Sequence, residues 1–310
     1  MIAIGSNPFN AEVMEKSQAI QGRSLWVDAR RRLFRNRAAM ASIILLSLIA
    51  LMALFAPLLS QYAYDEVNYE LVACAPNWWS GWDCNAGGAH WFGTDAVGRD
   101  LFVRTLYGAR VSLAVGLVAT LVSLLIGVLY GATAGYLGGR VDNLMMRVVD
   151  ILYSLPFIFF VIILMVLFNR NFFLLFVAIG AVEWLTMARI VRGQTLSIKQ
   201  KEFIEAARAG GVSSLAIITK HVIPNVIGPV VVYVTLTVPG VILTESFLSF
   251  LGLGIQEPLT SWGVLIADGA NQMQTAPWLL VFPALLMAVT LFCFNFIGDG
   301  LRDALDPKDR

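Results

Sequence analysis

Between two long apolar runs the sequence reads Glu205-Ala206-Ala207-Arg208-Ala209-Gly210-Gly211, and after a short interval it reads His221-Val222-Ile223-Pro224. The alanines give a short helix a face of small side chains, which suits entry into a cleft on a soluble partner. Gly210 and Gly211 have no Cβ and can end this helix in a left-handed conformation. Pro224 suits the first turn of a following helix. The stretch predicts a docking helix between two apolar helices, and an ordinary connecting loop is the alternative.

Composition places the chain in a membrane. Hydrophobic residues make up 58% of the sequence, charged residues make up 14%, and the mean hydropathy is +0.72, outside the usual range of soluble domains. A transmembrane helix needs about 20 apolar residues. Runs of roughly this length and nearly free of charge occupy residues 38–59, 111–137, 151–168, 222–244 and 278–297, with a sixth at 172–188. We therefore predict an all-α integral membrane protein with six transmembrane helices.

Basic residues orient these helices, because short cytoplasmic loops carry an excess of Lys and Arg. Most of the basic residues precede the first run, follow the second and fourth runs, or lie at the C-terminus. Both termini and the docking helix are therefore predicted to be cytoplasmic. The resulting division is a tail at 1–37, a membrane domain at 38–300 and a tail at 301–310, with an outer loop near 61–108 and an inner loop near 191–223.

An amphipathic segment at residues 25–34 precedes the first apolar run. Trp26, Ala29 and Leu33 fall on one helical face, and three consecutive arginines flank that face. The segment is either a helix lying on the inner leaflet, where basic residues meet anionic lipid, or a simple positive-inside anchor. The polar lead and the apolar run are both too long for a signal peptide, so we expect an uncleaved anchor.

The docking stretch resembles the coupling loop of ABC importer permeases. The family's ordered pattern is met here by Glu205, Ala206, Ala207, Gly211, His221, Ile223 and Pro224. The resemblance implies the type I ABC importer permease fold and contact between this loop and a cytoplasmic ATPase. An ATPase can meet the loop only on the cytoplasmic side, which agrees with the orientation predicted from the basic residues.

Further segments narrow the resemblance. Residues 22–39 resemble the N-terminus of oligopeptide permease C subunits, residues 92–113 resemble a segment of peptide and nickel permeases, and residues 294–307 resemble the family's C-terminal signature. The resemblance implies a permease subunit of an ATP-driven oligopeptide importer in a bacterial inner membrane, forming half of the translocation pathway. It implies as partners a B-type permease, two ATPases that hold ATP and Mg, a periplasmic oligopeptide-binding protein and the peptide.

Two other functions stay open at this stage. A dipeptide or nickel permease of the same superfamily would share most of these motifs. A proton-coupled secondary transporter, from a different class, would need a buried titratable relay, for which Glu183 and Glu245 are thin material. The sequence has no G-x-x-x-x-G-K-[ST] motif and no H-E-x-x-H motif, so we expect no catalytic residue, no bound metal or cofactor in this chain and no nucleic-acid partner.

The predicted mouth of the second span carries Asp95, Arg99, Asp100 and Arg104. Opposite charges at this spacing are positioned to cross-link through charge-assisted hydrogen bonds, so we expect a structural role rather than substrate contact. Cys74 and Cys84 lie in the same outer loop. An oxidising compartment permits a disulfide between them, and two unpaired thiols are the alternative.

Charged residues within the spans point to function because they are costly in a membrane. Glu245 lies near the outer end of the fifth span, close to the hydroxyls of Ser246 and Ser249. These residues predict a translocation path in which Glu245 meets a peptide amino group or an Arg of the companion permease, and a structural hydrogen bond is the alternative. Glu183 lies in the fourth span, where an ion pair with Arg189 or Arg192 is expected.

Overall fold

The computed structural model describes residues 25–78, 90–168 and 172–305 of the chain. In these residues all regular structure is helical, apart from one isolated bridge between Thr94 and Asp100. The α-helices are α1 (Leu25–Arg35), α2 (Arg37–Leu54), α3 (Ala56–Leu59), α4 (Leu101–Leu137), α5 (Gly139–Ser154), α6 (Phe157–Phe168), α7 (Phe172–Ile198), α8 (Glu202–Ala209), α9 (Ser214–Ile217), α10 (Ile223–Phe250), α11 (Trp262–Asn271) and α12 (Trp278–Leu305). A 3-10 turn at Tyr69–Leu71 and a π-helical turn at Ile218–Val222 accompany them. The predicted all-α class is confirmed for the described residues.

Several of these helices are long and apolar enough to cross a membrane. Within the described residues four pass this test, namely Arg37–Leu54, Leu101–Leu137, Ser214–Phe250 and Trp278–Leu305. A fifth is reached if the bent pair of α5 and α6 counts as one span. The membrane class predicted from composition is thus supported by the helices themselves. α7 covers the sixth predicted run, but the count of six spans stays a prediction.

The third predicted span is broken, which corrects the single helix expected over residues 151–168. α5 ends at Ser154, α6 begins at Phe157, and their axes are bent by 81°. Pro156 explains the break, because a proline ring disfavours the helical conformation of the residue before it. Leu155 accordingly has extended torsion angles, with φ −76° and ψ 128°.

α4 begins before the predicted second run. It starts at Leu101 because Asp100 caps it, with the Asp100 Oδ1 atom accepting a hydrogen bond of 2.8 Å from the backbone N–H of Val103. It ends at two glycines with positive φ, Gly138 at 67° and Gly139 at 58°. The turn between the second and third apolar segments is therefore made by residues that tolerate left-handed torsion angles.

The contact between α4 and α7 is the most extensive helix pairing in the part of the chain that the structure describes. On α4 it is lined by Gly127, Gly131 and Gly135, spaced four apart. A Cβ on Gly131 would lie 2.3 Å from the carbonyl oxygen of Ala188 on α7. Small residues at such spacing let two membrane helices approach closely and gain van der Waals contact. This G-x-x-x-G spacing is a sequence signal for helix pairing that the predictions above do not use.

α1 lies against α12 and does not present its predicted apolar face to lipid. Ala29 is buried, and a Cβ on Gly300 of α12 would lie 3.3 Å from the Cδ1 atom of Leu33. Phe34, on another side of α1, is exposed. The predicted helix is thus confirmed, and the buried Ala29 and the half-buried Leu33 of the predicted face pack against α12. The side chain of Trp26, the third member of that face, lies outside the described residues.

We predict that Gly131→Ala destabilises the chain. The added methyl group meets a backbone oxygen of α7, which can give way only if the two helices separate, and overpacking of this kind costs about 1–3 kcal/mol. Thermal unfolding of the detergent-solubilised protein measures the effect. Gly193→Ala is the matched control, because Gly193 lies on α7 and a Cβ there meets nothing within 4 Å. Equal losses in both variants would argue against a packing role for the glycine seam.

Candidate functional site

The short helix predicted over this stretch is present as α8, and two of its side chains attach it to neighbouring helices. Ile204 is fully buried in a cluster that includes Tyr136 of α4, Val191 of α7 and Val222, the last residue of the π turn. Arg208 adds a second attachment, because its guanidinium lies 5.8 Å from the ring centroid of Tyr136. α8 is therefore held firmly against the ends of two long helices.

The remaining surface of α8 is available to a partner. Glu205 and Ala206 are exposed and Ala207 is half-buried. Phe203, three residues before Ala206 and so on the same side of the helix, is also exposed. Leu215 of α9, in the next helical segment, is 72% exposed. Together these residues form a surface of small and apolar side chains beside an acidic one, as a docking helix requires.

A Schellman turn ends α8. The backbone N–H of Val212 donates to the carbonyl of Ala207 at 3.1 Å, and the N–H of Gly211 donates to the carbonyl of Arg208 at 3.0 Å. Gly211 has φ +76°, whereas Gly210 has an ordinary φ of −74°. The predicted left-handed end is thus confirmed at Gly211 and wrong for Gly210. A Cβ on Gly211 would meet nothing within 4 Å. A larger residue at position 211 therefore has room for its side chain, but it must adopt a positive φ.

The long helix that follows α8 starts at Ser214, earlier than the predicted apolar run at residue 222. Ser214–Phe250 is one continuous helical rod, and Pro224 lies inside it rather than in the first turn after a loop. The rod widens into a π turn at Ile218–Val222, just before the proline. This widening is expected because Pro224 has no N–H and its ring would clash with the carbonyl of Lys220 in an ordinary α-turn. His221 is half-buried within the π turn, so it too belongs to the base of the rod.

At the opposite end of α4, an ion-pair network surrounds Asp95. The Oδ2 atom of Asp95 accepts a hydrogen bond of 2.7 Å from Arg99 Nε and lies 3.3 Å from Arg104 Nε, an ion pair without hydrogen-bond geometry. Arg99 also donates to Glu257 Oε1 at 2.8 Å. The Arg104 side chain is fully buried, and its Nη1 atom donates to the carbonyl of Tyr64 at 3.3 Å. The predicted charge-assisted hydrogen bond is thus present between Asp95 and Arg99, whereas Arg104 forms only an ion pair with Asp95.

Asp100 does not join that network, which corrects its predicted pairing with an arginine. Its Oδ1 atom caps α4, and its Oδ2 atom lies 2.8 Å from the Nδ1 atom of His90. His90 is 4% exposed and stacks on the ring of Tyr62 at a centroid distance of 4.3 Å. Sequence reasoning missed His90, because nothing in a spacing of ten residues across a loop indicates that the two side chains meet.

A cavity of about 240 Å³ opens beside this network, lined in part by Asp95, Arg99, Glu257, Asp268, Asn271 and Gln272. α11 contributes Asp268 and Asn271 to the cavity. Burial raises the pKa of the Asp268 carboxyl, and the nearby Arg104 acts in the opposite direction. The cavity thus combines acidic groups with the Arg99 guanidinium at the predicted outer face.

The structure records Cys74 as disulfide-bonded. Its backbone N–H donates to the hydroxyl of Thr94 at 2.9 Å, which fixes the loop against the segment before α4. Cys84 lies outside the described residues, so the Cys74–Cys84 pairing stays a prediction. Cys293 is a buried free thiol.

Glu245 is enclosed by serine hydroxyls from three segments. Its Oε1 atom accepts hydrogen bonds of 2.7 Å from Ser249 and from Ser261, and its Oε2 atom lies 3.5 Å from the hydroxyl of Ser112 on α4. Ser112 in turn accepts a bond of 3.1 Å from the backbone N–H of Trp262, the first residue of α11. Glu245 is 0% exposed. Of the two roles weighed for Glu245, this geometry supports the structural one, because the carboxylate ties α4, α10 and α11 together.

The hydroxyl groups of Ser246 and Ser249 have different partners. Ser249 is buried and donates to Glu245, whereas the Ser246 hydroxyl points to the Sδ atom of Met287 on α12 at 3.4 Å. The serines that complete the site, Ser112 and Ser261, come from distant parts of the sequence. No local pattern around Glu245 indicates them.

Glu183 does not pair with Arg189 or Arg192, so that expectation is wrong. Arg192 forms a bidentate pair with Asp142 of α5, with both N–O distances at 2.6 Å. Arg189 donates to Asp150 of α5 at 2.8 Å. Both arginines therefore tie α7 to α5, and Glu183 keeps no basic partner among the described residues.

We predict that Asp95→Ala strongly destabilises the protein. Removing Asp95 takes away the one described carboxylate in ion-pair contact with the buried Arg104 and leaves only the more distant Asp268 and Glu257, and breaking a buried pair costs up to about 3–5 kcal/mol. Glu257→Ala is the matched control, because Glu257 binds the same Arg99 at an exposed position, where a pair is worth less than about 1 kcal/mol. Thermal unfolding in detergent compares the two. Similar losses would contradict the assignment of Arg104 to Asp95.

We also predict that Glu245→Ala destabilises the packing of α11. Buried serine hydroxyls that lose their acceptor cost about 1–3 kcal/mol in unfolding free energy. The measurement is thermal unfolding, followed by protease sensitivity of the segment around Ser261. Thr244→Ala is the control at the neighbouring position, because the Thr244 hydroxyl bonds only to its own helix, at the carbonyl of Gly240. Resistance of α11 to protease in Glu245→Ala would contradict the structural role.

Two family models match the chain. Residues 123–310 match the family described as binding-protein-dependent transport system inner membrane component. Residues 24–76 match the N-terminal TM domain of oligopeptide transport permease C. The methionine ABC transporter MetNI, solved in inward-facing conformations, has a chain that superposes with a TM-score of 0.55 at 21% identity, over 66% of this chain and 98% of its own. That likeness supports the fold.

Curated relatives match over nearly the full length. The oligopeptide transport system permease protein OppC of Escherichia coli (strain K12) is 61% identical over 304 residues, covering 97% of this chain and 98% of the relative. OppC of Haemophilus influenzae is 57% identical, covering 97% and 94%. The dipeptide transport system permease protein DppC of Bacillus subtilis is 46% identical, covering 91% and 86%. The chain therefore belongs to the family of inner membrane components of binding-protein-dependent transport systems.

Proposed function

We propose that this chain is the C-type permease subunit of an ATP-driven ABC importer for oligopeptides. Its similarity to the OppC proteins of Escherichia coli and Haemophilus influenzae extends over nearly the whole chain and supports the substrate class. The observation that carries the mechanism is α8, a short helix with an exposed face of small residues and a buried anchor at Ile204. This helix is built to enter a cleft on a cytoplasmic ATPase.

The connections of α8 suit it to transmit motion. It follows α7 after a short link and leads through a Schellman turn into the rod Ser214–Phe250. A helix of 37 residues is about 55 Å long at a rise of 1.5 Å per residue, long enough to cross the bilayer. A displacement of α8 is therefore passed to two membrane helices through packed contacts around Ile204. ATP binding and hydrolysis in the ATPases would move these helices and expose the pathway alternately to the two sides.

The membrane arrangement belongs to the same proposal. We infer six spans in the bacterial inner membrane, with α5 and α6 forming the bent third span and α7 the fourth. Both termini and α8 lie on the cytoplasmic side, where basic residues concentrate. Residues 60–100 and 251–277 then lie on the periplasmic side. An oxidising periplasm agrees with the disulfide at Cys74.

The partners follow from this arrangement. A B-type permease would form the other wall of the pathway, two ATPases would bind and hydrolyse ATP with Mg, and a periplasmic oligopeptide-binding protein would deliver the peptide. In this chain Asp95, Arg99 and Arg104 support the periplasmic mouth, and no residue is assigned a catalytic role. The dipeptide permease alternative is less favoured, because OppC relatives reach 57–61% identity, whereas two DppC relatives are 46% and 38% identical. A proton relay through Glu245 is disfavoured by its enclosure in serine hydroxyls.

We predict that Gly211→Asp abolishes coupling. The substitution places a charge on the docking surface and a Cβ at a positive φ, without any clash inside the chain. The measurement is ATP-driven uptake of an oligopeptide in proteoliposomes that hold the complete transporter, together with co-purification of the ATPases. Uptake and ATPase association should both fall.

Gly211→Asn is the matched control for that experiment. Asn has nearly the same size as Asp and tolerates left-handed torsion angles, but it carries no charge. It should therefore retain more uptake than Gly211→Asp. Undiminished uptake in Gly211→Asp would mean that α8 is an ordinary loop helix and that the coupling mechanism is wrong.

A further inference from the structure

Glu183 is a carboxylate in the middle of α7 that has no basic partner in the part of the chain that the structure describes. It is the twelfth residue of the helix Phe172–Ile198, or about 17 Å from its first residue at 1.5 Å per residue. Its side chain is half-buried, and among the described residues it makes no ion pair and no hydrogen bond. The arginines one and a half to three turns further along α7 are occupied by Asp150 and Asp142. Among the described residues, the charge of Glu183 is therefore not balanced by a basic side chain.

Polar side chains of three helices lie in the neighbourhood of Glu183. Thr186 is one turn further along α7 on the same face. Tyr233 of α10 lies near Thr186 and Thr237 and is close enough to Glu183 and to Tyr153 of α5 for an electrostatic interaction. Tyr153 is 54% exposed, and the Arg189 guanidinium lies 4.5 Å from its ring centroid. We call this group the polar crevice, formed by Tyr153, Glu183, Thr186, Arg189 and Tyr233.

The polar crevice opens to the surface of this chain. In the ion pair at its edge, the Arg189 side chain is 40% exposed and that of Asp150 is 62% exposed. Intramembrane charges are costly in lipid and almost always face a bundle interior or a water-filled cavity. A surface with Glu183, Asp150 and Arg189 is therefore unsuited to lipid. The face must border either water or another polypeptide.

The contrast with Glu245 shows what a structural carboxylate looks like in the same chain. Glu245 is fully buried and has serine donors on both oxygens, whereas Glu183 is partly open and keeps its oxygens free of any described donor. A free carboxylate on a partly open polar face is available to a ligand with a positive charge.

We propose that Glu183 lines the translocation pathway and binds the cationic amino group of the peptide in transit. The inference rests on the proposed function, because it takes the oligopeptide as the substrate. Every linear peptide with a free N-terminus carries an ammonium group, which is complementary to the carboxylate. The Thr186 and Tyr233 hydroxyls accept further N–H donors of the peptide backbone. Arg189, about 9 Å further along α7 at 1.5 Å per residue, disfavours the cation at that end and orients the peptide.

The first test is accessibility from water. Glu183→Cys is introduced with Cys293→Ala in the complete transporter, and a membrane-impermeant methanethiosulfonate reagent is applied with and without ATP. Mass spectrometry of this chain reads modification at residue 183. Modification is expected, with a rate that changes with ATP. Leu121→Cys is the matched control, because Leu121 is exposed on the apolar surface of α4 and should stay unmodified in the membrane. Absence of modification at 183 in either state would overturn the proposal, because the face would then be covered by lipid or by the companion permease.

The second test measures whether peptide uptake depends on the negative charge at residue 183. Glu183→Gln should lower uptake of trialanine by about tenfold, the effect of losing one charge-assisted hydrogen bond. Glu183→Asp, which keeps the charge, should retain uptake. In Glu183→Cys, an anionic sulfonatoethyl adduct should restore uptake and a cationic trimethylammonioethyl adduct should not. Asp303→Asn, at an exposed carboxylate near the end of α12, controls for a general effect of charge removal.

The outcomes separate this proposal from the one it rests on. If the unmodified transporter shows no ATP-dependent peptide uptake, the proposed function fails. If it imports trialanine, but uptake is indifferent to the charge at residue 183, the role of Glu183 fails and the importer assignment stands. Restoration by both adducts alike would also reject the role, because bulk and not charge would then matter.

Discussion

The close approach of α4 and α7 is the constraint on which the rest of the structure depends. In a membrane the backbone polar groups must be satisfied within each helix, and helices gain little from the hydrophobic effect when they associate. The glycines of α4 allow close packing because they let the α7 backbone come into van der Waals contact with α4. A methyl group added at Gly131 would meet a carbonyl oxygen of α7. α7 positions α8 and Glu183, and α4 positions the ion-pair network around Asp95 and Ser112.

Two separate groups of ion pairs connect segments of this chain. At the start of α4, Asp95 pairs with Arg99 and with the buried Arg104, and Asp100 caps α4 beside His90. Towards the other end of the long helices, Arg189 and Arg192 tie α7 to α5. These pairs hold the helices to their neighbours at both ends. The only described carboxylate of α7, Glu183, is left out of this pairing, and it borders an open polar face.

One continuous helical element connects α8 with the site around Glu245. The rod Ser214–Phe250 begins beside α8, carries Tyr233 of the polar crevice and ends beyond Glu245, which holds α11. In the proposed mechanism, a movement of α8 would therefore reach both the polar crevice and α11 without a flexible linker. The π turn before Pro224 is the one irregularity at the base of the rod, and it lies next to the docking surface.

The sequence by itself determined the membrane class, the approximate helices and the docking helix, because each depends on local patterns: apolar run length, small residues and a glycine that permits φ > 0. The partner of each charged side chain was decided only by the tertiary structure. Asp100 meets His90 and not an arginine, Arg192 meets Asp142 and not Glu183, and Glu245 meets serines from α4 and from the start of α11. These contacts depend on the register between helices distant in sequence, which is set by packing of small residues such as Gly131, and no local spacing records that register.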